Sequence, residues 1–188
     1  MKTKNKYLSA FIAVGCLFGS IAYADNQTVS IGYAQSKVQD FKNIRGVNLQ
    51  YRYEWDSPIS VIGSFTYMKG DDSAHERNEM GGHSNAKADL KYYSLLAGPA
   101  YRINDHISLY GLIGAARTKA DVKESYQWNG YYEYEAASTT KTNFAYGAGI
   151  IINPIQNVSV NLGYEGTKID MNGNHSINGF NLGVGYRF

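Results

Sequence analysis

The chain has 188 residues, a length that suits one domain. Its 17 Tyr and 20 Gly against only 3 Pro, with 14% aromatic residues, favour strands over helices. The first 24 residues hold three of the 18 basic side chains, none of the 16 acidic ones and the single cysteine, Cys16. The remainder therefore has a formal charge of −1 and no thiol, which argues against a general polyanion binder and excludes a disulfide or a cysteine site.

The N-terminal segment has the pattern of an export signal. Lys2, Lys4 and Lys6 precede an apolar stretch from Tyr7 to Ile21, and the segment closes on Ala22-Tyr23-Ala24. This pattern predicts a signal peptide over residues 1–24, cleaved after Ala24. An uncleaved membrane anchor is the weaker interpretation, because a spanning helix needs about 20 apolar residues. Residues 25–188 are then predicted to form one exported domain.

Alternating polarity recurs through the rest of the chain. In Arg45–Trp55 the apolar residues Val47, Leu49 and Tyr51 alternate with polar ones, and the last segment repeats the pattern from Phe180. No apolar run is long enough for a spanning helix, whereas strands of about 10 alternating residues are typical of membrane barrels. The eight predicted strands are Thr28–Lys37, Arg45–Trp55, Ser60–Lys69, Asp89–Ile103, Ile107–Arg117, Thr142–Asn153, Val158–Lys168 and Phe180–Phe188.

The connections between these strands alternate in length. Short turns rich in Asp, Asn and Pro are predicted at Asp56-Ser57-Pro58, Asn104-Asp105-His106 and Asn153–Asn157. The other connections are long and polar, and they form four predicted loops: Val38–Ile44, Gly70–Ala88, Thr118–Lys141 and Ile169–Ser176. Short turns at one end and long extracellular loops at the other indicate an all-β, eight-stranded antiparallel up-and-down transmembrane β-barrel.

The polarity of the two faces distinguishes a membrane barrel from a soluble one such as a lipocalin. The polar positions are rich in Gly, Ser and Asn, which suit a narrow interior better than a surface in water. We expect the charges on that face to lie inside and to pair with one another, since a lone buried charge is costly. These predicted interior charges are Arg52, Glu54, Glu165 and Arg187. Aromatic residues near the strand ends fit interfacial girdles: Tyr53, Trp55, Tyr67, Tyr101 and Tyr186.

Several segments resemble a known family. Gly32–Lys37, Tyr51–Glu54, Ala97–Ile103, Ser108–Gly111, Tyr146–Gly149 and Gly183–Phe188 are similar to the Ail/OmpX/Lom family of enterobacterial outer membrane proteins, and Val38–Asn48 and Ile177–Asn181 to its PagC-type members. The resemblance covers the whole mature chain. It implies an eight-stranded barrel, adhesion or invasion, complement resistance or survival in macrophages, and no enzymatic activity. It also implies that the outer-membrane assembly machinery recognises Phe188.

An aromatic segment stands out within the third long loop. Tyr and Trp anchor many protein interfaces, so this segment is a candidate contact site with host matrix or complement factors. Its aromatic residues are Tyr126, Trp128, Tyr131, Tyr132 and Tyr134. The alternative is a hairpin turning at Asn129-Gly130 that extends the barrel strands above the membrane. A rigid hairpin could also serve as the contact edge.

Basic residues gather near the long-loop end of the predicted strands. Lipopolysaccharide phosphates in the outer leaflet would favour cations there, although ordinary solvated charge explains them equally well. The residues of this predicted rim are Lys37, Lys42, Arg45, Lys91, Arg117, Lys119, Lys141 and Lys168. A barrel acting on the envelope itself, through lipopolysaccharide packing or vesicle release, is therefore the alternative function. No motif indicates nucleic-acid binding.

An enzyme at the rim is a less favoured hypothesis. A hydrolytic site would need His75 or His83 beside an acid and a serine of the same loop, chosen from Asp71, Asp72, Glu79, Ser73 and Ser84. No nucleophile motif surrounds these serines. A metal site built on His75, His83 and Glu79 would need a rigid frame that Met80-Gly81-Gly82 does not favour. We therefore predict no enzyme, no metal and no cofactor.

Overall fold

The computed structural model describes residues 26–39, 43–77, 83–128, 131–170 and 174–188. These residues form eight antiparallel strands that close into one barrel in chain order, with β1 paired to β8. The strands are β1 (Asn26–Val38), β2 (Ile44–Glu54), β3 (Ile59–Arg77), β4 (His83–Arg102), β5 (Ile107–Trp128), β6 (Tyr131–Ile155), β7 (Val158–Asp170) and β8 (Asn174–Arg187). No helix in these ranges is long and apolar enough to cross a membrane. The predicted barrel architecture is confirmed.

The two faces of the wall have opposite polarity. On β2, Leu49 points outward and is 44% exposed, whereas its neighbour Asn48 points inward and is 1% exposed. The same alternation leaves large apolar side chains on the outside of every strand, for example Ile31, Phe65, Leu95, Ile113, Phe144, Leu162 and Val184. An apolar outer surface of this kind suits lipid and would be poorly suited to water. The outward direction of the apolar residues is as predicted.

The interior is less polar than the sequence suggested. Asn48 donates to Ser64 and Thr66, and Asn161 donates to Gln50, so the middle of the barrel holds a hydrogen-bonded network. Buried apolar side chains also point inward. At the extracellular end they form a layer that we call the apolar plug, made of Val38, Ile44, Met68, Leu90 and Ile177. The described inward side chains thus fill the barrel.

Four strands extend far beyond the others. β3, β4, β5 and β6 have 19, 20, 22 and 25 residues, whereas β1, β2, β7 and β8 have 13, 11, 13 and 14. The predictions of loops over Gly70–Ala88 and Thr118–Lys141 are therefore wrong, since most of both segments is paired strand. These extensions have no lipid on either side, so they lack the apolar alternation that revealed the membrane strands.

Two smaller boundary predictions also differ from the structure. β7 continues to Asp170 and β8 begins at Asn174, so little of the predicted loop Ile169–Ser176 is a loop. β6 runs to Ile155 through a register shift after Ile152, which shortens the predicted turn at Asn153–Asn157. The short turn at Asn104 is capped by its own side chain, which accepts from the His106 and Ile107 amides. The proposed signal peptide lies outside the described residues and stays a prediction.

Candidate functional site

The extensions of β3–β6 form a four-stranded sheet outside the barrel, which we call the protruding sheet. β5 and β6 stay in register from Ile107↔Ile152 to Trp128↔Tyr131. β2 pairs with β3 only as far as Lys69, and β7 pairs with β6 only from Ala145. Beyond those points, β3 (70–77) and β6 (131–144) each have one hydrogen-bonding edge with no neighbouring strand in the described part of the chain. The sheet therefore has two open edges.

The predicted aromatic contact residues lie at the far end of this sheet. Tyr126, Trp128, Tyr131, Tyr132 and Tyr134 belong to the last paired positions of β5 and β6. The hairpin interpretation of this segment is confirmed for the backbone, although the turn at residues 129–130 and these side chains lie outside the described part. At about 3.4 Å per residue, roughly ten residues beyond Lys119 place the tip about 30 Å farther out. Whether the tip binds a partner stays a prediction.

Four cations lie side by side where the protruding sheet leaves the barrel. Arg45 is opposite Lys69, Lys69 is opposite Lys91, and Lys91 is opposite Lys119, so the row crosses β2 to β5. We call these four residues the cationic row; all point outward. Like charges directly opposite one another repel, which favours an anion beside them. The sequence analysis missed Lys69, because only the register between distant strands brings it into this row.

Directly on the membrane side of the row lies an aromatic pair. Tyr67 and Tyr93 are opposite each other, with ring centroids 5.0 Å apart. Tyrosine is enriched at the boundary between lipid and water. The cationic row thus lies one outward-facing position beyond this aromatic pair on the extracellular side.

A row of carboxylates follows the cations on the extracellular side. Asp71, Asp89 and Asp121 occupy directly opposite positions on β3, β4 and β5. Lys119 Nζ lies 3.3 Å from Asp121 Oδ1. A hydrogen bond with Ser138, and next the bond and charge of Lys119, lower the pKa of Asp121 below the ordinary aspartate value. The outer face of the sheet thus carries a positive band followed by a negative one.

The remaining predicted rim residues are more scattered. Lys37 on β1 and Lys168 on β7 are exposed at the extracellular end, away from the cationic row. Arg117 is opposite Tyr93 and Thr142, one step closer to the membrane, and Lys141 is opposite Thr118. Lys42 lies outside the described residues. The structure thus unites Arg45, Lys91 and Lys119 with Lys69, and it does not bring Lys37, Arg117, Lys141 or Lys168 into that row.

The interior charges gather at the periplasmic end around one carboxylate. Glu54 lies 3.1 Å from Arg52, 2.7 Å from Arg102 and 3.1 Å from Arg187. Arg52 also donates to the hydroxyls of Ser60 and Ser108, so its buried guanidinium is well satisfied. Arg52 and Arg187 therefore both lie against Glu54 inside the barrel. Sequence reasoning missed Arg102, although it shares the inward parity of Ala100.

Glu165 does not take part in that cluster. Its carboxylate accepts from the Tyr92 hydroxyl at 2.5 Å and from the Thr66 hydroxyl at 2.9 Å. No described arginine or lysine lies within ion-pair distance of it, so of the two acidic side chains available to the interior arginines only Glu54 is their partner in the described part of the chain. The reason is position: Glu165 lies on β7 toward the extracellular end, opposite Gly147 and Gly179, far along the barrel from Glu54.

The residues considered for a hydrolase are spread along strands. The backbone of His75 pairs with Asn85 and that of His83 with Arg77, within the outer part of β3 and β4. Their side chains, with those of Ser73 and Ser84, and all of Glu79, lie outside the described part. Among the described residues, no three His, Cys, Asp or Glu side chains are grouped as they would be around a metal ion.

A closed eight-stranded wall with an apolar outside, a filled interior and one extended extracellular side defines a small membrane barrel of the outer-membrane type. Residues 9–188 match the family described as outer membrane protein beta-barrel domain. The chain belongs to the Ail/OmpX/PagC family of outer membrane β-barrel proteins. It is 50% identical over 187 residues to the virulence membrane protein PagC of Salmonella typhimurium, a match that covers 98% of this chain and all of PagC.

Two further comparisons agree with this assignment. The attachment invasion locus protein of Yersinia pseudotuberculosis is 39% identical over 194 residues, covering 98% of both chains. The crystal structure of Ail, the attachment invasion locus protein of Yersinia pestis, superposes with a TM-score of 0.69 at 38% identity, covering 88% of this chain and all of Ail. By family the chain is an outer membrane β-barrel protein, in agreement with the predicted location.

Proposed function

We propose that this protein is a virulence-type surface protein whose extracellular part mediates contact with the host. The contact would serve adhesion or invasion, complement resistance or survival in macrophages. The observation that carries the proposal is the protruding sheet, which extends about 30 Å beyond the cationic row and has two edges without a partner strand among the described residues. The names of the relatives, a virulence membrane protein and an attachment invasion locus protein, support the same class of function.

The β6 edge is the better docking edge of the two. An open strand edge presents unpaired amides and carbonyls to which an extended segment of another protein can pair. Along β6 the residues from Ala136 to Thr140 are small and uncharged, so a partner backbone can approach closely. On the β3 edge, by contrast, Asp71 and Asp72 place two carboxylates at the start of the exposed stretch. Edge strands that avoid pairing usually carry charges of this kind.

A matched pair of proline variants tests the β6 edge. Successive amides on a strand point to opposite sides, so of Thr139→Pro and Thr140→Pro one removes a donor on the open edge and the other removes a bond to β5. Hydrogen exchange of the β5 amides distinguishes the two variants, because only the variant that loses a bond to β5 should make those amides exchange faster. We expect the open-edge variant to keep the β5 pairing and to lose binding to host cells or serum factors. Unchanged binding by that variant would exclude the edge as the docking site.

The aromatic tip is tested separately. Changing Tyr126, Trp128 and Tyr131 to serine together removes aromatic contact area and leaves both edges of the sheet in place. If the tip anchors host matrix or complement factors, the variant should bind them at least about tenfold more weakly. Wild-type binding by this variant, with loss in the open-edge proline variant, would assign the contact to the edge alone.

The second candidate function lies in the envelope. The cationic row above the Tyr67–Tyr93 pair favours binding of lipopolysaccharide phosphates, through which the barrel would affect lipid packing or vesicle release. Ail of Yersinia pestis has been crystallised with the heparin analogue sucrose octasulfate, so a relative binds a polyanion. Lys69→Gln with Lys91→Gln should reduce retained lipopolysaccharide, whereas Lys123→Gln, farther out on β5, should not. Equal retention by both proteins would refute this role.

Phe188 supports a further proposed contact, with the outer-membrane assembly machinery. Its ring lies outside the barrel and stacks on Tyr186 at 6.3 Å, while its backbone pairs with Gln27. We expect Phe188→Ala to lower the amount of assembled barrel in cells without reducing refolding of the purified chain. Poor refolding of the purified variant would indicate that the ring stabilises the barrel itself.

A further inference from the structure

The ion-pair cluster inside the periplasmic end of the barrel holds more positive than negative charge. Three guanidinium groups, those of Arg52, Arg102 and Arg187, surround the single carboxylate of Glu54. A guanidinium carries five donors and a carboxylate offers about four acceptor sites, so Glu54 cannot satisfy all three arginines. Arg52 donates hydrogen bonds to two serine hydroxyls in addition to its ion pair with Glu54. The excess positive charge therefore belongs to Arg102 and Arg187.

These two arginines face an open space. A cavity of about 460 Å³ lies between the two periplasmic turns, lined by Arg102, Arg187, Asp105, His106 and Asn153 among others. We call it the vestibule. The side chains of Arg102 and Arg187 are 29% and 17% exposed, whereas that of Glu54 is 2% exposed and lies behind them. Arg187 Nε is 3.1 Å from Glu54 Oε2, but it has no hydrogen bond of good geometry.

We propose that the vestibule binds a phosphate-type oxyanion, held by Arg102 and Arg187. Planar guanidinium groups match phosphate oxygens with pairs of parallel hydrogen bonds, and partial burial strengthens such bonds. Asp105 is the one acidic residue among the described lining residues. Against the two arginines it leaves the lining with a net positive charge. Asn153 lies in the same lining, and its side-chain amide donates to the Val158 carbonyl, which holds this side chain in place beside the arginines. This site is separate from the extracellular function proposed above.

Phosphate oxygens could come from free phosphate in the periplasm or from a phospholipid headgroup of the inner leaflet. Both present the same chemistry to the two arginines. A free anion needs only the vestibule, whereas a headgroup must reach it from the surrounding lipid past the exposed turns at residues 103–106 and 155–157. The two sources therefore differ in whether phosphate binds in the absence of phospholipid.

The test is a titration of the purified mature chain refolded in octyl glucoside, a detergent without phosphate. Inorganic phosphate is added at constant ionic strength against chloride, and the Nε–Hε signals of the arginines are followed by nuclear magnetic resonance. We expect saturable shifts of Arg102 and Arg187. Arg102→Gln and Arg187→Gln should each weaken binding about tenfold or more, since each removes charge-assisted hydrogen bonds. Lys123→Gln removes one positive charge at the opposite end and should leave the affinity unchanged.

Glu54→Gln separates anion binding from a purely structural role of the arginines. Removing the competing carboxylate should strengthen phosphate binding, whereas a cluster that only stabilises the fold would gain nothing. A parallel titration uses dihexanoyl phosphatidylglycerol below its micellar concentration. Shifts with inorganic phosphate support a free anion as ligand, and saturable shifts with the lipid alone support a headgroup. No saturable shift with either probe, or equal affinity of wild type and Arg102→Gln, would overturn the proposal.

Discussion

Replacement of Glu54 by glutamine should cost much more stability than the same change at Glu165. Glu54 is the shared partner of Arg52, Arg102 and Arg187, so an amide in its place leaves buried positive charge without a counterion. Breaking a buried ion pair typically costs about 3–5 kcal/mol of unfolding free energy. Because Arg102 and Arg187 are partly exposed and can turn toward water, we expect the lower end, about 3 kcal/mol.

Glu165→Gln is the matched control. Its two carboxylate oxygens accept separately from the hydroxyls of Tyr92 and Thr66. In glutamine the amide oxygen can accept one of these bonds, and the amide NH2 can donate to the other hydroxyl once that hydroxyl rotates. We expect a loss of about 1 kcal/mol or less, the difference between a charge-assisted and a neutral hydrogen bond.

Urea unfolding of the refolded barrel, followed by tryptophan fluorescence in chloride buffer without phosphate, measures both variants. Each variant is first shown to be folded by gel electrophoresis, in which the unheated barrel migrates faster than the heated protein. Equal losses in the two variants, or a loss below about 1 kcal/mol for Glu54→Gln, would refute the view that one carboxylate neutralises three arginines.

Three further predictions concern the wall and the protruding sheet. A Cβ at Gly46 would lie 1.9 Å from the Tyr67 carbonyl oxygen, so Gly46→Ala should cost about 3 kcal/mol in urea unfolding. Gly63→Ala, whose Cβ meets nothing within 4 Å, should cost almost nothing. Ser138→Ala should raise the pKa of Asp121 toward the ordinary aspartate value in a carboxyl titration; because that pKa is lowered in the fold, the stabilisation is present above the ordinary value and is lost as the pH falls through the lowered one. Amides of β6 over residues 131–142 should alternate between slow and fast exchange, and uniform protection would contradict an open edge.

The membrane part of the fold was predictable because the two faces of each strand lie in different surroundings. Lipid outside and a narrow interior force opposite polarity on neighbouring positions such as Leu49 and Asn48, and this period of two is visible in the sequence. β2 was accordingly predicted within one residue at each end. Above the membrane both faces of the sheet meet water, so the extensions of β3–β6 leave no such pattern and were predicted as loops.

The candidate sites were predictable only in part, for a related reason. Arg45, Lys91 and Lys119 were expected at the extracellular end, but their alignment with Lys69 depends on the register of four strands. Likewise, the parity of Arg52, Glu54 and Arg187 placed them inside, but height along the barrel decided which charges meet. Arg102 lies at the height of Glu54 and Glu165 does not. The period-two pattern of the sequence predicts whether a side chain points into or out of the barrel. Its height along the barrel axis is set by the pairing between strands.

The apolar plug has a consequence for any ligand of the vestibule. In the part of the chain that the structure describes, Val38, Ile44, Met68, Leu90 and Ile177 are buried inside the extracellular end, and hydrated ions that pass such an apolar layer would lose their water at high cost. An anion that enters from the periplasm must then leave by the same opening. Its occupancy would follow the concentration in that one compartment, so the barrel would sense the periplasm from within while presenting only its outer sheet to the exterior.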